Sequence, residues 1–219
     1  MRNTLVAASL LLAGIATAQD VEHSFQRVVP RGAVKRVVID VPAGSFTVRN
    51  GKADQLALAA IVSRDYDGAK ERAWAQKVVN DTTLEFYVSG ADAVVRQKFG
   101  KNADSWRARK FNGIDLRLDL PPGVDVVFET TAGEVDMAGN FGDVDIDMRA
   151  GEIELRMPRA IVRDLSASCR VGEVRTNLGT EVLTREGIFP GRTKFHNAAG
   201  RSHVNVHVTA GEVDVTLTQ

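Results

Sequence analysis

The sequence predicts an all-β chain: a β-solenoid-like stack of short strands with Gly corners, plus one short helix in the N-terminal half. Three observations carry this. A Gly-acid-aliphatic unit recurs at Gly133, Gly142, Gly151, Gly172 and Gly211, the first three at a spacing of nine residues. After each Gly the residues alternate: Val144, Ile146 and Met148 are separated by Asp145 and Asp147, while Ile153, Leu155 and Met157 are separated by Glu154 and Arg156. Period two means a strand with one buried and one wet face. Only Ala69–Val79 carries a helical pattern, with Ala69, Ala73, Trp74 and Val78 near one face and no Pro.

The elements follow in order. Residues 1–18 read as an export signal: Arg2 opens a charged start, Leu5–Ile15 is apolar, and Ala16-Thr17-Ala18 fits a small-x-small cleavage site. Cleavage after Ala18 leaves a chain beginning at Gln19, exported to a periplasm or outside the cell. Residues 19–113 form an N-terminal β part. It has strands at 33–41, 45–49, 56–62 and 84–88, a tight turn at Asn50-Gly51, the helix at about 69–79 and a long polar loop at about 90–113. Residues 114–219 form the repeat part, opening with a strand at 114–120 that stops at Pro121-Pro122-Gly123. The two parts read as one continuous domain.

Gly is suited to a repeated corner because it accepts positive φ and lets another backbone approach. Ala-Gly-Glu-Val/Ile starts at 132, 150 and 210, and Val171-Gly172-Glu173-Val174 is a near copy. Gly44 sits in a looser version. Identical residue types at identical positions favour stacking of like on like, the signature of a solenoid. A sandwich of hairpins is the rival architecture.

A chain of 219 residues holds 28 Lys+Arg and 28 Asp+Glu, so the net charge is zero. That balance argues against a nucleic-acid binder. No stretch after the signal is long and apolar enough to span a membrane. Cys169 is the only cysteine, so no internal disulfide can form. It alternates with polar residues alongside Leu165 and Ala167, which puts it on the core face.

Two charged segments are candidate sites. Between Gly133 and Met157 the acids are Glu134, Asp136, Asp143, Asp145, Asp147, Glu152 and Glu154, against Arg149 and Arg156. Stacked carboxylates repel unless cations lie between them. Glu134, Asp143, Asp145 and Glu152 are therefore calcium candidates, since hard cations take clustered carboxylate oxygens. A solvated face that discourages edge pairing is the other reading. The segment 96–117 is basic, with Trp106, Arg107, Arg109 and Lys110 at its centre. Bases interleaved with aromatics grip polyanions or sugars, so these four are the partner-binding candidates. A loop that docks its aromatics and leaves its charges in water is the alternative. His203, Asn205 and His207 share the polar face of one strand. The two imidazoles stand about 13 Å apart, too far for one metal ion.

No GxSxG, HExxH, Walker loop or GxGxxG is present. No catalytic residue, confident metal ligand or cofactor is assigned.

The blocks VKRVVIDVPAGSFTV (34–48) and LRLDLPPGVDVVFETTAGEVDMAGNFGDVDIDMRAGEIEL (116–155) resemble the putative adhesin domain family and the related head domains of autotransporter adhesins. The resemblance covers most of the chain after the signal. It implies an exported, β-solenoid-like domain of undefined biochemical role and supplies no catalytic residues. The expected role is a non-enzymatic protein that binds or scaffolds at the bacterial envelope, with an envelope protein or a glycan as partner. A self-associating envelope protein is the alternative, and a small carbohydrate-active enzyme ranks third.

Overall fold

The computed structural model describes residues 20–66, 68–101, 113–178 and 191–219. The export signal, and Trp106, Arg107, Arg109 and Lys110, lie outside the described residues. Among the described residues, twelve strands and one helix follow one another: β1 (Asp20–Pro30), β2 (Arg36–Asp40), β3 (Ala43–Asn50), β4 (Gln55–Asp65), α1 (Gly68–Asp81), β5 (Thr82–Ser89), β6 (Asp92–Phe99), β7 (Gly113–Leu120), β8 (Asp125–Ala138), β9 (Val144–Pro158), β10 (Val162–Thr176), β11 (Gly191–His196) and β12 (Ser202–Thr218).

The sheet forks. The first half of β8 pairs with β2, whereas its second half pairs with β3. One wing therefore runs β5-β6-β2-β8-β9-β12-β10-β11, and the other runs β1-β4-β7-β3-β8-β9-β12-β10. The long strands β8, β9, β12 and β10 are parallel neighbours and belong to both wings.

Each long strand turns from one wing into the other at a glycine. Gly44, Gly133, Gly151, Gly211 and Gly172 stand in one cross-strand row. Gly133, Gly151, Gly211 and Gly172 have φ of +139°, +136°, +145° and +136°. The burial phase changes there. Val144, Ile146 and Met148 are buried before the corner, and Ile153, Leu155 and Met157 after it. Both wings thus turn an apolar face to one core. Phe46 of one wing meets Phe128 of the other edge-to-face, with ring centroids 4.9 Å apart.

Two sequence expectations are corrected by this geometry, and the order of the strands carried none. The strands are not short pieces ending at Gly; β8, β9, β10 and β12 run 14 to 17 residues through their glycines. Gly142 is not a corner of the same kind. It lies in the bend between β8 and β9, and register pairs Gly133 directly with Gly151, so the unit that stacks is two nine-residue halves. Strand order is also not sequential, because β12 lies between β9 and β10.

Other differences are local. Residues 92–99, expected inside a polar loop, form β6; Ala93 and Val95 alternate inward and the strand pairs with both β2 and β5. Asn50-Gly51 does not close a hairpin, since β7 lies between β3 and β4. The Asn50 amide instead accepts from Asn140 N–H at 2.5 Å and donates to Asn140 C=O at 3.3 Å. The strand β1 carried no sequence expectation; it is an edge strand paired along its length with β4.

The helix α1 packs on β1, β4 and β5 and buries Ala75, Val78 and Val79. Its Trp74 lies under the Arg64 guanidinium of β4, 4.2 Å from the ring centroid. No helix among the described residues is long and apolar enough to cross a membrane.

Candidate functional site on the outer face of the first wing

Alternation pushes every second residue of the first wing outward, and register lines these residues up across eight strands. The middle row reads Tyr87, Val94, Val38, Val127, Asp145, Asn205, Ser166, Lys194. A flanking row reads Glu85, Arg96, Asp40, Glu129, Asp147, His207, Ser168, Arg192. The face therefore has three zones: apolar and ion-paired on β5, β6 and β2; acidic on β8 and β9; rich in cations, hydroxyls and imidazoles on β12, β10 and β11.

The acidic strand β9 projects Asp145 and Asp147, and Asp143 lies in the bend just before it; all three are exposed. The adjacent strand β12 projects His203, Asn205 and His207, with Val204, Val206 and Val208 buried behind them. Asn205 Nδ2 donates to Asp145 Oδ1 at 2.8 Å, and His203 N–H donates to Asp143 Oδ1 at 2.8 Å. Asp125 Oδ1 accepts Asp143 N–H at 2.8 Å. Much of the acidity is thus answered by polar hydrogen.

Asp164 of β10 is held between two imidazoles. Its Oδ1 is 2.6 Å from His196 Nδ1 on β11, and its Oδ2 is 3.1 Å from His203 Nδ1 on β12. The hydrogen bond from His196, with the charges of His196, His203 and Arg163, holds the Asp164 carboxyl below its ordinary range. Four residues further along β10, Ser168 Oγ lies 3.1 Å from His207 Nδ1. At the far end Arg36 grips Asp92 through two hydrogen bonds of 3.0 and 2.8 Å, which lowers the Asp92 carboxyl in the same way. Arg96 Nε meets Asp40 Oδ2 at 2.9 Å. An open groove of about 820 Å³ runs along this face from Arg36, past Asp125, Asp143 and Asp145, to Asp164, Ser166 and Lys194.

The calcium candidates do not come together. Asp143 and Asp145 lie on this face, whereas Glu134 and Glu152 lie beyond the glycine corner on the other wing. There Glu134, Glu152, Glu212 and Glu173 form one row, and Asp136, Glu154 and Asp214 form the next. Arginines break up that ladder: Arg49 pairs with Asp136, Arg156 with Glu154, and Arg175 bridges Glu173 and Glu212. Among the described residues, no group of three or more His, Cys, Asp or Glu side chains is placed to hold a metal ion. Cys169 is fully buried, its Sγ 3.2 Å from Gly211 O, and burial pushes its thiol up.

The His-Asp-His cluster and the cationic strand β11 escaped the sequence reading. Strand pairing creates the cluster from residues 32 and 39 positions apart and sets β11 beside β10, and alternation alone does not say which strands are neighbours.

No protein-family model and no curated protein matches the chain. In structure it is similar to a putative cell adhesion protein from Clostridium sporogenes ATCC 15579, at 10% identity and a TM-score of 0.50, covering 90% of this chain and 100% of that one. It also matches putative adhesins from Parabacteroides distasonis ATCC 8503 (9% identity, TM-score 0.29, 62% and 57% of the two chains) and Parabacteroides merdae ATCC 43184 (7%, 0.29, 88% and 80%). At the level of fold, the chain shares the architecture of the Clostridium protein, and the resemblance to putative adhesin domains is supported at that level.

Proposed function

We propose that this protein is an exported, non-enzymatic, adhesin-like module that binds at the bacterial envelope through the outer face of its first wing. In this reading the parallel run β8-β9-β12-β10 is a short solenoid-like stack whose job is to hold side chains at fixed spacing. The single observation behind it is the open groove of about 820 Å³, flanked by an acidic zone and a cationic one on rigid neighbouring strands. Strands fix side-chain spacing better than loops do, which suits recognition of an extended partner. The description of the Clostridium sporogenes protein as a putative cell adhesion protein agrees with this role.

The test is sedimentation of the purified chain, beginning at Gln19, with isolated envelope fractions. Saturable retention is expected, with clear loss in an Asp145→Lys/Asp147→Lys variant that keeps its melting temperature. Non-saturable retention, or equal retention of both proteins, would sink the proposal.

Self-association is the second reading. It draws on β1, an eleven-residue edge strand that pairs only with β4 among the described strands and carries Val28, 60% exposed. Exposed edges invite pairing with another chain. Concentration-dependent mass in light scattering supports it, and a constant monomer mass rules it out.

A further inference from the structure

From the cationic end of the groove we infer that the protein binds an anionic glycan, one bearing carboxylate, sulfate or phosphate groups, on the surface of β11, β10 and β12. This deepens the envelope-binding reading and rests on it. Arg192 and Lys194 project from the same face of β11, two residues and therefore about 7 Å apart. Arg36 and Arg96, elsewhere on this face, are each tied to a carboxylate. Arg192 and Lys194 are not: both are exposed, and neither side chain forms a hydrogen bond or ion pair among the described residues.

Each of these cations has a serine as its cross-strand neighbour. Ser166 pairs with Lys194, and Ser168 with Arg192. His207 stands 3.1 Å from Ser168 Oγ, and Asn205 completes the patch beside Ser166. A cation flanked by a hydroxyl, repeated at one strand pitch, suits a polymer with anionic oxygens on successive units. Charge is answered by Arg192 and Lys194, and neighbouring sugar hydroxyls by the serines and the amide. The next strand over, β9, presents Asp145 and Asp147, with Asp143 in the bend just before it. That acidic bank repels any polyanion, but its carboxylates accept hydrogen bonds from sugar hydroxyls, which a glycan carries on every unit beside its anionic group and a nucleic acid largely lacks; this favours a glycan. Among the described strands β11 pairs only with β10, so the patch lies at the edge of the described sheet.

The experiment is calorimetric titration of the wild type with oligogalacturonate, a sulfated dextran oligosaccharide, a phosphorylated dextran oligosaccharide, neutral dextran of matched length and a single-stranded oligonucleotide. At least one charged glycan is expected to bind saturably and at least about tenfold more tightly than neutral dextran, a ratio that weakens with added salt. Arg192→Glu/Lys194→Glu should weaken that binding about tenfold or more, whereas Lys70→Glu/Lys77→Glu on the exposed side of α1 should leave it within about twofold. The carboxylate, sulfate and phosphate arms identify which anion is preferred. Equal loss in both variants, absence of glycan binding, or tighter binding of the oligonucleotide overturns the inference. If the β11 variant still sediments with envelopes, this inference fails while the broader reading stands. If the wild type does not sediment at all, the broader reading fails first.

Discussion

Gly133 and Gly151 lie so close across β8 and β9 that a Cβ on Gly151 would stand 1.9 Å from the Gly133 carbonyl oxygen. The same contact recurs at 1.8 Å from Gly211 to Gly151 and from Gly172 to Gly211. The obstacle is backbone, which cannot swing aside, and φ of +136° at Gly151 is itself strained for any other residue. Gly151→Ala should therefore destabilise the fold by roughly 3 kcal/mol or more in chemical denaturation. Gly142→Ala offers the contrast. There the Cβ would meet Asp125 Oδ1 at 2.0 Å, the tip of a side chain that can turn away by giving up one hydrogen bond. A loss of about 1 kcal/mol is expected. Equal losses at the two sites would refute the distinction between corner and bend.

That distinction also marks how far the sequence could be read. Alternation placed Val144, Ile146, Met148, Ile153, Leu155 and Met157 in the core, where they lie. It could not show that one strand continues through the glycine, because a corner and a turn both interrupt the period. The order of stacking left a faint trace. Ala precedes the row's glycine on β3, β8, β9 and β12, four adjacent strands, while β10 carries Val171 instead. That half of β10 has no further neighbour among the described strands, so the larger side chain stands 49% exposed. Odd-numbered alternation continued from Leu165 would turn Val171 inward; the corner resets the phase and turns it out. The strand β1 was missed because His23 and Arg27 interrupt the apolar alternation of Val21, Phe25 and Val29. The Asp164 cluster depends on strand partners and had no local signal at all.

Cys169 should behave as an inert core residue. Its thiol is raised by burial and sits against Gly211 O, so the reactive thiolate is disfavoured. A thiol reagent at mildly alkaline pH should leave the native protein unlabelled and label it stoichiometrically after denaturation. Non-reducing electrophoresis of native protein should show no disulfide-linked dimer. Fast labelling of the folded state would mean that the corner opens readily.

The contact between Phe46 and Phe128 joins the two wings, so truncating it should loosen the whole fold rather than one strand. Both rings are essentially fully buried. Phe128→Ala is expected to lose about 3–5 kcal/mol. A double-mutant cycle with Phe46→Leu and Phe128→Leu should return a coupling of about 0.5–1.5 kcal/mol. Additivity within error would mean that the wings are held together mainly by other contacts.

Asp164 gives the face a pH dependence whose sign is fixed by its environment. Its carboxyl is held below the ordinary value by His196, His203 and Arg163. The unfolded chain therefore takes up this proton at a higher pH than the folded one. The stabilisation is fully present above the ordinary carboxylate pKa of about 3.9 and disappears as pH falls through the depressed folded value. Asp164→Asn removes the titrating group. Comparing melting temperature against pH, the wild type should lose an extra increment on the acid side that the variant lacks. The increment is small, because the cluster is exposed and water screens it. Added salt should shrink it further. Parallel curves for the two proteins throughout the acid range would show that the two imidazoles sit near Asp164 without binding it.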